Sequence, residues 1–185
     1  MKVLLINPPR NPAYIDDVEN LGLGYLAARL RKEGHEAILL DASLQRYTLE
    51  ETASRVTRSR PDLVGISIMF QIIAATPFQL ARHLRKAGLK APIVIGGHFP
   101  TFAYNEILEA NPEIDFIVRG EGEETLCSLV RALEAGEAPD SILGLAYRMN
   151  GEVRVNEPRP LIPDLDSLEP PARDTLPLIL KRGGK

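Results

Sequence analysis

The sequence has very few of the residues that build disulfides and metal clusters. Cys127 is the only cysteine among 185 residues, and tryptophan does not occur. The chain by itself therefore cannot form an internal disulfide, a multi-cysteine zinc site or an iron–sulfur cluster. The spacing of Cys127 from Leu126, Leu129 and Leu133 places it on or beside the buried face of a helix, where a small, soft side chain is ordinary. We interpret Cys127 as a core residue and not as a catalytic thiol.

Long apolar runs and blocks of positive charge are also missing. The formal net charge is -3 and no segment is rich in Lys and Arg, so nothing indicates a nucleic-acid partner. No apolar run approaches the roughly 20 residues that span a bilayer, and the run before Pro8-Pro9 is too short for a signal peptide. These absences predict a cytoplasmic protein without a membrane or nucleic-acid partner.

Short apolar strands alternate with amphipathic helices along the first 140 residues. The predicted strands are residues 2–7, 37–40, 62–69, 93–95 and 114–118. This alternation favours an α/β fold with a doubly wound, five-stranded parallel sheet, flavodoxin-like or Rossmann-like, in the order 2-1-3-4-5. Ligands of such sheets bind beyond the carboxyl ends of the strands. The segments expected to meet at this edge are residues 7–9, 67–70, 96–100 and 119–123.

Helix signals accompany the strands. Asn20 is expected to cap the first helix, and Thr48-x-x-Glu51 is a capping box. The fourth strand ends in the double glycine Gly96-Gly97, and adjacent glycines allow a backbone approach that other residues forbid. Thr101 is expected to cap the helix that follows and so aim unpaired amides at the edge. We expect Gly97 to touch the ligand, so that a side chain there would project into the ligand's space.

Familiar nucleotide-binding patterns are absent from this edge. A dinucleotide site needs Gly-x-Gly-x-x-Gly after the first strand, where this chain has Asn7-Pro8-Pro9. A phosphoacceptor receiver needs acidic residues after strands one and three, and a flavodoxin needs a Ser/Thr-rich loop after strand one. Neither occurs here. The edge therefore favours a bulky cofactor tail held by backbone, small residues and apolar contacts.

The pattern changes beyond the last predicted helix of the domain. Residues 145–149 and 152–156 flank Asn150-Gly151, which predicts a β-hairpin with a type I′ turn. Prolines are frequent between Pro158 and Pro177, a composition typical of an extended, semi-rigid linker. We divide the chain into an α/β domain at 1–140, a hairpin appendage at 141–157 and a proline-rich linker at 158–185. The final residues give no helix stop, which suggests a fragment of a longer protein.

Residues 1–134 resemble the amino-terminal cobalamin-binding domain of cobalamin-dependent radical S-adenosylmethionine enzymes. The motifs that carry the resemblance are Ser67-x-Met69, Gly96-Gly97-His98-x-Pro100-Thr101 and Asp115-Phe116-x-Val118-Arg119-Gly120-Glu121-Gly122-Glu123. That family includes methylases of unactivated carbons and the anaerobic cyclase acting on magnesium-protoporphyrin monomethyl ester. In the full enzymes, a barrel with a Cys-x-x-x-Cys-x-x-Cys iron–sulfur motif follows the linker. This sequence ends before any such motif, so the chain alone is expected to be inactive.

The resemblance implies a cobalamin site at the predicted edge. It places Ser67 and Met69 along the cofactor's nucleotide tail, with Gly96 and Gly97 letting that tail lie against the sheet. Family variants with an axial imidazole use Asp-x-His-x-x-Gly after strand one, whereas no histidine occurs here between residues 7 and 34. No axial histidine is therefore expected. The candidate cofactor-binding residues are Asn7, Pro8, Pro9, Ser67, Ile68, Met69, Gly96, Gly97, His98, Phe99, Pro100, Gly120 and Glu121.

Simpler interpretations remain open for individual residues and for the whole chain. The Ser67 hydroxyl could satisfy strand-end backbone, and His98 could make a helix-entry hydrogen bond. Glu121 and Glu123 could be general acid/base groups, but acids in the first turn of a helix are favoured anyway by its dipole, and we interpret them as structural. For the chain, the leading hypothesis is the cobalamin domain of a radical methylase or cyclase. The others are a docking or substrate-recognition domain of the same fold that has lost cobalamin, and a small-nucleotide binder.

Overall fold

A single seven-stranded sheet runs through the part of the chain that the computed structural model describes, residues 1–10 and 18–183. The strands are β1 (Lys2–Asn7), β2 (Glu36–Asp41), β3 (Leu63–Ser67), β4 (Ile93–Gly96), β5 (Phe116–Val118), β6 (Leu145–Met149) and β7 (Glu152–Val155). The helices are α1 (Leu21–Lys32), α2 (Ala42–Gln45), α3 (Leu49–Ser59), α4 (Ala75–Lys86), α5 (His98–Phe102), α6 (Tyr104–Ala110), α7 (Glu123–Ala135) and α8 (Leu176–Gly183). The α/β class predicted from the sequence is confirmed.

The strand order is β2-β1-β3-β4-β5-β6-β7. Neighbours from β2 to β5 are parallel, whereas β6 pairs antiparallel with β5 and β7 antiparallel with β6. The hairpin thus continues the sheet instead of standing apart from it. Asn150 and Gly151 have φ values of 52° and 83°, the positive angles that a type I′ turn requires.

Side chains of the parallel strands alternate between two buried layers, as the period of a strand dictates. Ile6, Ile66 and Ile95 belong to the layer that packs under α3 and α4. Leu5 and Val94 belong to the opposite layer, which α1 and α7 cover. This second face carries the site described below.

Two helix starts follow the sequence signals and one does not. Asn20 caps α1 through its side chain, and Thr48 and Glu51 form the reciprocal capping box of α3. The prediction that Thr101 caps its helix is wrong, because α5 already begins at His98, directly after Gly97. Thr101 lies inside α5, donates its hydroxyl to Gly97 O (2.8 Å) and accepts from Gly120 N (3.0 Å). It therefore ties α5 to the loop before α7.

Residues 157–175, which we call the strap, lie against the outer sides of α7 and α1. The strap is mostly extended, as its prolines predict, apart from one 3₁₀ turn at Leu165–Ser167. Polar contacts connect it to both helices. It leads into α8, a helix that the sequence analysis did not anticipate. In the described ranges, no helix is long and apolar enough to cross a membrane.

Candidate cofactor site

A cleft of about 730 Å³ opens at the carboxyl ends of the parallel strands, on the face that α1 and α7 cover. Its floor is made by residues two apart on neighbouring strands, because alternate side chains share one face. These floor residues are Leu5 and Asn7 on β1, Gly65 and Ser67 on β3, Val94 and Gly96 on β4, and Val118 on β5. Its walls come from the first two turns of α1 and from the start of α7 with the glycine before it, and they include Leu23, Leu26, Gly122 and Leu126.

The structure brings many of the predicted site residues to this cleft. Those that line it are Asn7, Ser67, Met69, Gly96, Gly97, His98, Gly120 and Glu121. The remaining candidates, Pro8, Pro9, Ile68, Phe99 and Pro100, are not among its lining residues. Ile68 is fully buried in the opposite core layer, and Pro8, Pro9 and Pro100 are buried as well. Cofactor contact by these five residues stays a prediction.

The two adjacent glycines have different roles. Gly97 has φ 113°, and a Cβ added there would lie 2.5 Å from Ile68 O. A side chain at Gly97 would therefore meet backbone at the end of β3 and would not project into the ligand's space, which corrects the expectation from the sequence. Gly96 has no positive φ, and its Cβ would find Val118 O at an ordinary 3.5 Å. Since Gly96 belongs to the floor, it is the position where a side chain would fill the cleft.

Asn7 is held in place by groups of the protein itself. Its Nδ2 donates to Asp41 Oδ1 (2.9 Å), and its Oδ1 accepts from Arg10 Nη2 (3.4 Å). Asp41 also accepts from Leu44 N (2.8 Å), the cap bond of α2. Burial raises the pKa of Asp41, although these hydrogen bonds act in the opposite direction. Asn7 therefore joins the ends of β1 and β2 and presents little free hydrogen-bonding capacity to a ligand.

Ser67 is bridged across the cleft to the start of α1. Asn20 Nδ2 lies 3.3 Å from Ser67 Oγ, while Asn20 Oδ1 accepts from Leu23 N in the helix cap. The sequence identified Asn20 only as a cap. Its Nδ2 also donates to Ser67 on the sheet, so Asn20 and Ser67 together define one end of the cleft.

Glu123 is an acidic residue that the sequence analysis took as structural, and it lines the cleft. Its Oε2 is buried and has no hydrogen-bond partner among the described residues. Burial raises the pKa of Glu123, and the neighbouring charges of Glu121 and Glu124 act in the same direction. Glu121, by contrast, accepts a hydrogen bond from Ile162 N (2.6 Å) in the strap.

Histidine and cysteine chemistry is sparse around the cleft. His98 lies exposed at its rim, whereas the Nδ1 atoms of His35 and His83 contact the N-terminal amine and Gln79 O, respectively. Cys127 is buried, and burial raises the pKa of its thiol to about 11. Within the described ranges, no group of three His, Cys, Asp or Glu side chains could hold a metal ion.

Sequence reasoning missed the walls of the cleft. The unassigned lining residues include Arg10, Leu21, Gly22, Leu26, Phe102, Leu126 and Leu161. The helical spacing of Leu23, Leu26 and Leu30 indicated a buried face, but spacing does not show which strands a helix covers. Leu161 carried no signal at all, because it lies in the proline-rich segment.

The cleft suits a large cofactor with an extended tail. Its floor and walls are mainly apolar or glycine backbone, and its few polar groups lie near the strand ends. The missing side chain at Gly96 leaves space where any other residue would stand above the sheet. The fold and the cleft thus define a doubly wound α/β domain that binds a bulky cofactor at the carboxyl edge of its sheet.

Comparison with known families identifies that cofactor class. The B12 binding domain family matches residues 14–130, well over half of the chain. The chain therefore belongs to the B12 binding domain family.

The curated relatives are much longer proteins. The uncharacterized methyltransferase PH0819 of Pyrococcus horikoshii is 36% identical over 184 residues, covering 96% of this chain and 39% of its own length. The anaerobic magnesium-protoporphyrin IX monomethyl ester cyclase of a Synechocystis species is 36% identical over 173 residues, covering 90% of this chain and 34% of its own. This chain thus spans little more than a third of either relative.

A solved structure shares the fold over nearly the whole chain. It is the cobalamin-dependent S-adenosylmethionine radical enzyme OxsB with aqua-cobalamin and S-adenosylmethionine bound. The TM-score is 0.80 at 26% identity, and the match covers 97% of this chain and 25% of that chain.

Proposed function

We propose that this chain is the cobalamin-binding domain of a longer radical S-adenosylmethionine enzyme of the methylase or tetrapyrrole-cyclase type. One observation carries the proposal: within the region that matches the family, the cleft includes Gly96 and Gly97 and has a mainly apolar floor with space for a large tail. The relatives at 36% identity, a methyltransferase and a cyclase, support the two reaction types. The loss of cobalamin is not favoured, because the family match covers most of the residues that line the cleft.

The residues that would hold the cofactor are those of the cleft floor and its rim. Ser67 and Met69 would lie along the nucleotide tail, and Gly96 would admit it to the sheet. Bound cobalamin would supply a carrier for a methyl group. The residues of this chain would bind and orient the cofactor. The apolar walls, which include Leu23 and Leu26, would shield the bound cofactor from water. No residue of the chain is proposed as catalytic.

The proposed binding mode has no histidine beneath the cobalt. The family variants with an axial imidazole carry it shortly after the first strand, and no histidine occurs here between residues 7 and 34. His98 lies exposed at the start of α5 and lines the cleft. We propose contact with cofactor or substrate for His98 and no ligation of cobalt.

A further domain of the same polypeptide is proposed to cover the cofactor edge. Phe70, Ile72 and Phe102 are 61%, 81% and 81% exposed there, and large apolar side chains grouped at one edge mark a surface that another domain or ligand covers. The chain spans only 39% of one curated relative. The proposed division is a cofactor domain at 1–140, a hairpin at 141–157 and a linker at 158–185 towards a radical S-adenosylmethionine domain with its own iron–sulfur cluster.

The proposal is tested by colour and by turnover. The purified chain, mixed with hydroxocobalamin and passed through a desalting column, should retain visible absorbance, but it should not cleave S-adenosylmethionine even with iron and sulfide supplied. A colourless protein fraction would favour a domain that has lost its cofactor. Sequencing the gene beyond Lys185 should reveal the three-cysteine motif.

A further inference from the structure

Leu161 of the strap lines the cofactor cleft although it lies far in sequence from the parallel strands that form the floor. It is 73% exposed, yet the next residue is fixed, because Ile162 N donates to Glu121 Oε2 at 2.6 Å. Glu121 directly precedes Gly122, and both line the same cleft. An apolar side chain is therefore held at the rim by a hydrogen bond from its own segment to the wall of the site.

The strap is anchored on both sides of Leu161. Upstream, Arg159 Nε donates to Thr125 Oγ1 on α7 at 2.8 Å. Downstream, Ala172 N donates to Gly24 O on α1 at 3.0 Å, and Arg31 pairs with Asp174 at 2.5 Å. Surface ion pairs contribute little individually, so the buried backbone bond to Gly24 is the more specific anchor. The strap thus spans the two helices that form the walls of the cleft.

The strap packs directly against Gly24 of α1. Gly24 lies inside α1, where glycine is a poor helix former, and it has no positive φ that would require glycine. A Cβ added there would lie 2.9 Å from Ala172 O and 3.1 Å from Pro171 Cβ. The absent side chain therefore allows the strap to approach the helix. Gly24 does not line the cleft, so it acts on the site only through the strap.

From this geometry we infer that the strap completes the cobalamin site. Leu161 contacts the bound cofactor, and Glu121 and Gly24 are positioning residues that hold Leu161 at the rim. The inference rests on the proposed function and adds a part of the site that the parallel sheet does not supply. Because an exposed leucine gains most when a ligand covers it, the strap should slow cofactor release more than it changes association.

Three leucine variants of the 185-residue chain test the contact. Leu161→Ala should weaken hydroxocobalamin binding about fivefold, and Leu161→Asp should weaken it further, because a charge would be placed against an apolar ligand surface. Leu165→Ala is the matched control, since Leu165 is also in the strap, is 63% exposed and does not line the cleft. Its affinity should equal that of the wild type.

Variants of Gly24 test whether the strap positions Leu161, because Gly24 contacts the strap and does not line the cleft. Hydroxocobalamin should protect the backbone amides of Arg159, Leu161 and Ile162 from hydrogen exchange in the wild type; their neighbours Pro158, Pro160 and Pro163 carry no amide hydrogen. Gly24→Ala should reduce that protection and speed cofactor release, and Gly24→Val should do both more strongly. Circular dichroism and thermal melting confirm that each variant is folded. Gly24→Ala also provides a readout if the valine variant does not fold.

The possible results separate this inference from the proposed function. Wild-type binding with unchanged affinity in both Leu161 variants, or no cofactor-dependent protection of the strap, would overturn the role of the strap and leave the cobalamin domain intact. No binding by the wild type would overturn the proposed function, and the role of the strap with it. Weaker binding in the Leu161 variants, with faster release in the Gly24 variants, supports both.

Discussion

For single residues, the clearest case is the pair of glycines at the end of β4, where glycine is required at each position for a different physical reason. Gly97 is required by the backbone, because its φ is 113° and a Cβ there would meet the carbonyl oxygen of Ile68. Gly96 is required by the cleft, because its missing side chain leaves the floor open. The sequence alone does not show which reason applies to which glycine. The direction in which a Cβ would point at each position distinguishes the two.

Gly97→Ala should therefore lower the free energy of unfolding by about 1–3 kcal/mol, since alanine is strained at this angle and collides with backbone. Urea unfolding followed by circular dichroism measures the change. Gly96→Ala is the matched control and should stay close to the wild type, because its Cβ has ordinary contacts. A Gly97→Ala variant as stable as Gly96→Ala would show that the strain is absent.

Glu123 should make stability depend on pH. Burial raises its pKa in the folded state, so the folded protein binds more protons at Glu123 than the unfolded chain does between the two pKa values. The free energy of unfolding falls as pH rises through this window and stays lower above it. Glu123→Gln removes the penalty, so it should raise the melting temperature relative to the wild type more at pH 7.5 than at pH 4.

The control for this comparison is Glu137→Gln, on the exposed segment after α7, which makes the same change of charge outside the cleft. Its effect on the melting temperature should be small. An equal effect of Glu123→Gln at both pH values would contradict a burial penalty at Glu123.

At the scale of elements, the start of α1 connects helix stability to the cleft. Asn20 caps the helix through Oδ1 and reaches Ser67 through Nδ2. Asn20→Ala should cost about 0.5–2 kcal/mol in chemical denaturation, because the cap bond is lost. Asn20→Asp keeps the cap oxygen and loses the amide donor, so its cost should be smaller. If aspartate destabilised as much as alanine, the bond to Ser67 and not the cap would be the main contribution.

Local signals predicted the elements whose stability is local. The caps at Asn20 and Thr48 and the turn at Asn150-Gly151 were found because the residues that form them are neighbours in sequence. The pairing of β6 with β5 could not be found in this way, since a hairpin signal does not show which sheet edge it joins. Thr101 resembled a helix cap by its position after Pro100, yet its hydroxyl bonds Gly97 and Gly120.

The strap shows how much of a segment's structure can be predicted from its amino-acid composition alone. Prolines predicted its extended shape, but its place on α1 depends on Gly24 and on charges such as Asp174, which lie far apart in the sequence. No periodicity connects these residues. Its contact with the cofactor cleft through Leu161 could be recognised only from the structure.

At the scale of the whole molecule, one principle predicted the location of the site. Parallel strands bring their carboxyl ends to one edge, and this places Ser67, Gly96 and Gly120 together around the cleft. Some candidates in the same segments do not line the cleft, and Ile68, for example, belongs to the opposite core layer. Topology alone assigns a segment to the carboxyl edge of the sheet. Which face of the sheet each of its side chains lies on can be determined only from the register of the strands.

We propose that cobalamin occupies the cleft above Gly96. The most direct measurement is a titration of the chain with hydroxocobalamin, followed by visible absorbance, for the wild type, Gly96→Val and the control Ala110→Val on the exposed end of α6. Valine at Gly96 fills the floor without a strained backbone angle. We predict saturable one-to-one binding by the wild type and the control, and no binding by folded Gly96→Val. Equal binding by all three proteins would contradict the claim.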